Sequence, residues 1–244
     1  MNSSISAVSL QNNALTNLAL GISVSPRKLG NSDFAAEYFM QFFNQKQKHM
    51  DFLALRSFPV KACVSCGRCD QKNNLPCILD RSKPVETLES EKNILAFENR
   101  ANYLADSEDN ANFLFDKLFS VPALLICSPI YFYHVPALFK SLIDRSQYWW
   151  NRKLQGHERF ATLPPKRLAY LILIAARPQG LRLFEGALVS LKYFLDIFNF
   201  ELQTPLLLKG LDAKNALKNN PEALANIKQY AEFGAEQFSL ETLL

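Results

Sequence analysis

Short apolar runs separated by polar turns recur along the chain. Five of these runs have the length and composition of buried strands and lie at 17–25, 50–58, 123–132, 167–176 and 200–208. Amphipathic segments between and after them predict helices at 32–49, at 136–150, at 181–198 and from Pro221 onward. Continuous apolar strands that alternate with helices are typical of a parallel sheet covered on both faces.

Residues 82–119 interrupt this alternation. They are charged and rich in Asn, with scattered apolar positions, which predicts one or two amphipathic helices as an insertion before the third strand. With 244 residues, of which 48% are hydrophobic, the chain has the size of one α/β domain. We therefore expect a single domain over 1–244, preceded by an extension at 1–16.

Charge and hydropathy exclude some classes of partner. The formal net charge of +4 is spread along the chain without the clustered Lys/Arg stripe of nucleic-acid binders. No run reaches the roughly 18 apolar residues of a transmembrane helix, and the N-terminus lacks the pattern of a signal peptide. A soluble cytoplasmic protein that binds neither nucleic acid nor membrane is expected.

The segment SPRKLGNS at 25–32 joins the first strand to the first helix. In such sheets ligands bind beyond the carboxyl ends of the strands. Ser25, Asn31 and Ser32 are neutral donors, Arg27 adds a charged fork, and a helix start offers free N–H groups to an anion. Because neither a Walker loop nor GxGxxG is present, the segment does not favour ATP or a Rossmann-bound dinucleotide as the ligand. An ordinary polar turn remains an alternative.

Four of the five cysteines lie within CVSCGRCDQKNNLPC at 63–77. Cysteines three residues apart close only tiny loops, which argues against a disulfide framework and favours reduced thiolates that hold a metal in a reducing compartment. CxxCxxC followed by a fourth cysteine suits a four-iron four-sulfur cluster, with Gly67 permitting a tight turn. Zinc, which usually takes two separated CxxC pairs, and a metal-free loop remain open. The fifth cysteine, Cys127, is predicted to be a core residue.

Two segments, GISVSPRKLGNS at 21–32 and SPIYFYHVPALFKSLIDR at 128–145, resemble the flavodoxin-like NADPH-dependent FMN reductase family in order and spacing. The resemblance extends from residue 17 to about 235 and implies a doubly wound, five-stranded parallel sheet of the flavodoxin type. It also implies roles for nine residues. The FMN phosphate would be held by Ser25, Arg27, Asn31 and Ser32; Pro129, Tyr131 and Phe132 would lie along the ribityl chain and isoalloxazine edge; Ala176 and Arg177 would approach the flavin from the other side.

Alternatives accompany these assignments. Core packing is the alternative for Tyr131 and Phe132. The loop AARPQG at 175–180 departs from the Thr/Ser and Gly-rich sequence that is usual in the family.

The cysteine loop, at 60–80, resembles that of a subgroup of this family, the iron–sulfur flavoproteins. The resemblance implies that Cys63, Cys66, Cys69 and Cys77 hold a 4Fe-4S cluster which exchanges electrons with FMN in a homo-oligomer. A reduced ferredoxin would be the donor and oxygen, peroxide or a quinone the acceptor, with no catalytic acid or base assigned. One alternative is an NAD(P)H-dependent FMN or quinone reductase without a cluster. Another is a zinc-stabilised, flavin-free protein on the same scaffold.

Overall fold

The structure is a computed structural model that describes residues 18–44, 49–70, 77–80 and 109–241. Helices and strands alternate through these residues. In chain order they are β1 (Ala19–Ser23), α1 (Asn31–Phe43), β2 (Met50–Ala54), α2 (Ala111–Ser120), β3 (Ala123–Pro129), α3 (Ala137–Arg145), α4 (Gln147–Leu154), β4 (Arg167–Ile174), α5 (Glu185–Ile197), β5 (Phe200–Leu202), β6 (Leu206–Leu208) and α6 (Pro221–Glu241).

All strands are parallel, and their order across the sheet is β2-β1-β3-β4-β5, with β6 also paired to β4. This is the flavodoxin order, so the predicted fold class is confirmed. Ser23 at the end of β1 is level with Cys127 in β3. The strand order reverses between these two strands, so their loops diverge and leave a crevice at the carboxyl edge of the sheet.

Hydrophobic cores lie on both faces of the sheet because alternate residues of each strand point to opposite sides. In β3, Leu124 and Ile126 pack on the face covered by α2, α3 and α5. Leu125 and Cys127 pack on the other face, which α1 and α6 cover. Cys127 is fully buried, as the sequence predicts for a core residue.

Several predicted elements are shorter or divided. The second strand ends at Ala54 and continues into a 3₁₀ turn at Leu55–Ser57. The helix predicted at 136–150 is two helices that meet at Ser146, whose Oγ donates a hydrogen bond to the carbonyl of Ile143 (2.6 Å). Such a bond competes with regular helix bonding and bends the chain.

The fifth predicted strand, 200–208, is divided into β5 and β6 because Pro205 offers no N–H to β4. The first helix ends at Phe43, and Asn44 Oδ1 then accepts a hydrogen bond from the N–H of Met50 (3.0 Å). Within the predicted insertion, α2 is helical as expected. The remainder of that prediction, at 82–108, and the extension at 1–16 lie outside the described residues.

Candidate functional site

Loops that follow β1, β3, β4 and β6 meet in a cleft at the carboxyl edge of the sheet. The residues that line it are Ser25, Arg27, Gly30, Asn31, Ser32, Pro129, Ile130, Tyr131, Ile174, Ala176, Leu211 and Asp212. Seven of the nine residues assigned to the flavin are in this set. Phe132 and Arg177 are not, although both lie in loops that adjoin it. The structure therefore brings the three predicted flavin segments together.

The loop between β1 and α1 presents donors to this cleft. Ser25 is buried, and its Oγ accepts a hydrogen bond from the N–H of Arg27 (3.1 Å). Ser32 is also buried, whereas Arg27 is exposed at the rim. The first N–H groups of an α-helix have no acceptor within the helix, so the start of α1 can bind an anion. An exposed carboxylate, Asp212, lies on the same cleft and opposes that preference.

Asn31 has a structural role through its side chain. Its Nδ2 donates to the carbonyls of Leu211 (3.1 Å) and Ala213 (3.0 Å), and its Oδ1 accepts from the N–H of Leu217 (3.2 Å). These three bonds occupy both ends of the amide. The contribution of Asn31 to the cleft is therefore its backbone at the start of α1, and its amide instead fixes the segment that follows β6.

A buried carboxylate supports the same loop. The Asp33 side chain is 3% exposed and pairs with the guanidinium of Arg56 (Nη1 to Oδ1, 2.9 Å). Asp33 Oδ1 also accepts from Ser23 Oγ (2.5 Å), and Oδ2 accepts from the N–H of Leu29 (2.8 Å). Neither Asp33 nor Arg56 is predicted from the sequence as a site residue. The position of Asp33 could have drawn attention to it, since an acid in the first turn of a helix after a phosphate loop is unusual for an anion site. Arg56 lies within a predicted strand, and no feature of the sequence there indicates a role at the site.

The loop after β3 forms a tight turn at Tyr131–His134, the aromatic turn. The N–H of each end residue donates to the carbonyl of the other, at 2.8 and 2.9 Å. Phe132 (φ 48°) and Tyr133 (φ 64°) both have left-handed backbones, the pattern of a type I′ turn. Bulky residues rarely adopt this conformation. Tyr131, Phe132 and Tyr133 are all exposed, and Phe132 is fully so, which excludes the core-packing alternative for Tyr131 and Phe132 in this chain.

The aromatic turn is held against α5 and the loop before it. His134 Nε2 and Ser190 Oγ are 2.8 Å apart, so the imidazole is fixed by a local hydrogen bond. Arg177 Nη1 donates to Tyr133 Oη (3.3 Å). A Cβ placed on Gly186 would lie 2.9 Å from the Tyr133 carbonyl oxygen, so a glycine is required at this position of α5. Gly186 and Ser190 are further site residues that the sequence analysis did not identify.

The cysteine loop leaves β2 through the 3₁₀ turn and contains two left-handed residues between its cysteines, Ser65 (φ 50°) and Gly67 (φ 71°). The N–H of Ser65 lies 3.4 Å from Cys63 Sγ. Cys63 is exposed and the other cysteines of the loop are partly buried. The described residues contain no group of three or more His, Cys, Asp or Glu side chains placed to hold a single metal ion.

The four thiols nevertheless share one neighbourhood. Burial raises the pKa of Cys69 to about 11, with smaller upward contributions from Asp70, Cys66 and Cys63 and a downward one from its hydrogen bond with Asn151. Burial also raises the pKa of Cys77, which Cys66 and Cys63 raise further. Charges at Cys63 and Cys66 thus act on both of the other thiols.

The cysteine loop is anchored to the helical layer at its start and near its middle. Asn151 Nδ2 of α4 donates to Asp70 Oδ1 (2.7 Å). Arg145 Nη1 of α3 donates to the Lys61 carbonyl (3.2 Å) and pairs with Asp109 Oδ2 (2.9 Å), whose Oδ1 accepts from the Lys61 N–H (3.0 Å). The Arg145 charge also lowers the pKa of Cys77, against the effect of burial. A buried cation therefore lies close enough to the fourth cysteine to favour its thiolate.

Comparisons with known proteins agree with this fold. The family model described as NADPH-dependent FMN reductase matches residues 18–163, which is more than half of the chain. No curated protein sequence matches the chain significantly. In the described residues, no helix combines the length and the apolar character needed to cross a membrane.

Solved structures share the fold at low sequence identity. A flavone reductase has a TM-score of 0.59 at 12% identity over 91% of this chain, which spans 63% of that protein. An azoreductase from Bacillus anthracis str. Sterne has a TM-score of 0.57 at 13% identity, with 91% of this chain and 100% of that one covered. An FMN-dependent NADH-azoreductase from Bacillus anthracis str. Ames Ancestor, solved in complex with FMN, has a TM-score of 0.51 at 13% identity, with 91% and 99% covered.

Proposed function

Because the chain belongs to the NADPH-dependent FMN reductase family, we propose that it binds FMN in the cleft at the carboxyl ends of β1, β3 and β4 and uses it for electron transfer. Family membership makes the chain a flavin-dependent oxidoreductase. One observation supports the cofactor site above all. Four loops that are far apart in the sequence converge on a single cleft, and three of them, after β1, β3 and β4, carry residues assigned to the flavin.

The residues of the cleft suit the two ends of FMN. A dianionic phosphate fits the start of α1, where backbone N–H groups, Ser25, Ser32 and Arg27 supply donors and positive charge. The negative charge of Asp212 opposes this, but the side chain is exposed and therefore screened by water and salt. The aromatic turn presents apolar surface to the flavin ring. When bound, FMN would accept a hydride or single electrons, while the protein orients it and tunes its electronics.

We further propose that Cys63, Cys66, Cys69 and Cys77 hold a 4Fe-4S cluster as a second redox centre, as in the iron–sulfur flavoproteins. Four thiols from one anchored loop match the cluster in number and kind of donor, and the Ser65 N–H is suited to a bond with a ligand sulfur. A cubane takes each thiolate at a different iron, so its ligands need not converge on one ion as zinc ligands do.

A cluster-free NAD(P)H-dependent FMN or quinone reductase is the second candidate, since the family description itself names NADPH as the reductant. A hydride would then pass from a nicotinamide to the flavin, and the cysteine loop would be structural. The two candidates share the FMN cleft and differ only in the source of the electrons. A homo-oligomer, which light scattering would detect, belongs to both proposals.

Anaerobic purification followed by an absorption spectrum and by iron, sulfide, zinc and FMN analysis tests these proposals. We expect FMN together with iron and sulfide. Iron-free protein that oxidises NADPH steadily would select the second candidate, and protein without any flavin would contradict both. Colourless protein with stoichiometric zinc would select the zinc-stabilised alternative.

Two single substitutions sharpen the assignment of the ligands. Cys66→Ala should remove the iron and spare the FMN. Cys127→Ala is the matched control, because Cys127 is fully buried in the core, and it should retain both groups. Full iron content in the Cys66→Ala variant would contradict the ligand assignment.

A further inference from the structure

The ion pair of Asp33 and Arg56 places a negative charge close to the proposed phosphate site. Asp33 is the third residue of α1, and the start of that helix is where the proposed phosphate would bind. A carboxylate at this position competes with the phosphate for the positive end of the helix dipole and repels it directly. An anion site with an unneutralised acid beneath it would therefore bind phosphate poorly.

Arg56 offsets the repulsion between Asp33 and a bound phosphate. Its guanidinium contacts Asp33 Oδ1 at 2.9 Å and reaches the Ser25 carbonyl at 3.4 Å, so one side chain joins the buried acid to the phosphate loop. Arg56 is not among the residues that line the cleft. It can therefore influence a bound phosphate through charge and through the loop, without touching it.

We propose that Arg56 is a specificity-determining positioning residue: by neutralising Asp33 and holding the loop at Ser25, it makes the cleft select phosphorylated flavin, FMN, over riboflavin. This inference rests on the proposed FMN function. Ser23, whose hydroxyl donates to Asp33 at 2.5 Å, and the Leu29 N–H at 2.8 Å complete the set of donors around the carboxylate. Asp33 thus also fixes the loop backbone at Leu29, which immediately precedes the N-cap residue of α1, Gly30.

The test is titration of the flavin-free full-length protein with FMN and, separately, with riboflavin, followed by flavin fluorescence. Arg56→Met leaves a negative charge beneath the phosphate and should weaken FMN binding about 10- to 100-fold. Riboflavin has no phosphate, so its affinity should change less than about threefold. Arg56→Lys keeps the charge and should retain most of the preference for FMN.

Asp33→Asn supplies the opposite perturbation. It removes the negative charge and leaves Arg56 positive, so the ratio of FMN to riboflavin affinity should be higher than that of the wild type. The double variant Asp33→Asn/Arg56→Met has no charge at either position and should recover the wild-type ratio to within about threefold. A role that is only structural would not move the ratio in opposite directions.

The outcomes separate this inference from the function on which it rests. Equal weakening of both flavins by Arg56→Met, or a wild-type protein with no preference for FMN, would overturn the inference alone. A wild-type protein that binds neither flavin would overturn the proposed function. If Arg56→Met does not fold, the single variant Asp33→Asn and the double variant still test the proposal, because an unchanged or lower ratio of FMN to riboflavin affinity in Asp33→Asn contradicts the charge argument.

Discussion

A single added methyl group at Gly186 should displace the aromatic turn. Gly186 lies in the first turn of α5, and a Cβ built on it meets the carbonyl oxygen of Tyr133 at 2.9 Å. Ordinary contact begins at 3.4 Å, so the two backbones would have to separate by about 0.5 Å. Neither atom belongs to a flexible side chain. The strain therefore falls on the turn itself, whose residues Phe132 and Tyr133 already have left-handed backbones.

Two opposing contributions set the magnitude for Gly186→Ala. Alanine is favoured over glycine within a helix by up to about 1 kcal/mol. Overpacking of a fixed contact costs about 1–3 kcal/mol. We expect a net loss of about 1–2 kcal/mol, which corresponds to a fall in Tm of about 2–8 °C for a chain of this size. Because Tyr131 of the turn lines the cleft, FMN affinity should fall about 3- to 10-fold as well.

Thermal unfolding and FMN titration of the purified variant measure both effects. Gly180→Ala is the matched control, since a Cβ there meets Leu183 Cδ1 at 3.5 Å, an ordinary contact. It should leave the Tm and the flavin affinity unchanged within error. A Gly186→Ala protein that gains stability and binds FMN as tightly as the wild type would refute the argument that the carbonyl of Tyr133 requires a glycine.

Two further predictions concern strain and burial. Phe132→Asn should stabilise the fold by up to about 1 kcal/mol in urea unfolding, because the fully exposed ring buries nothing and Asn enters the left-handed region readily; a loss of stability would contradict it. Tyr230→Phe should destabilise by about 1–3 kcal/mol near neutral pH, because the Leu171 N–H donates to Tyr230 Oη (3.3 Å) where the fifth strand is interrupted. Burial raises the pKa of Tyr230, so this contribution is complete below about pH 10 and lost as the pH rises further. Unfolding curves of wild type and variant should then converge in alkali, and a constant difference would contradict the assignment.

The sheet could be predicted from the sequence because its strands are continuous apolar runs. Each of the five predicted runs contains a strand of the observed sheet, and the three central strands β1, β3 and β4 are predominantly apolar because they are buried on both faces. The ends of elements were less predictable because tertiary contacts decide them. Leu55 is as apolar as a strand residue, yet it begins the 3₁₀ turn that carries Arg56 to Asp33. Hydrophobic patterning contains no information about that ion pair.

Some residues of the candidate site could be predicted from the sequence and others could not. Residues that belong to short motifs, such as Ser25 and Tyr131, could be assigned from local sequence and lie in the cleft. Gly186 and Arg56 could not be assigned from local sequence, because each contacts a loop that is distant in the sequence and neither belongs to a motif. The Asn31 side chain was assigned to the ligand but is bonded to the segment after β6, since a helix-start amide can reach a neighbouring loop as readily as a phosphate.

Backbone strain is concentrated in the loops that meet at the candidate site and in the cysteine loop. Among the described residues, the non-glycine residues with positive φ are Leu29, Ser65, Phe132, Tyr133, Arg182 and Asn199. All but Asn199, which follows α5, lie in the loops after β1, β2, β3 and β4. Turn chemistry favours glycine or asparagine at such positions, and a side chain of another type costs free energy there. None of these side chains lines the cleft, so the strain affects the paths of the loops that border it, and glycine or asparagine at these positions should relieve it.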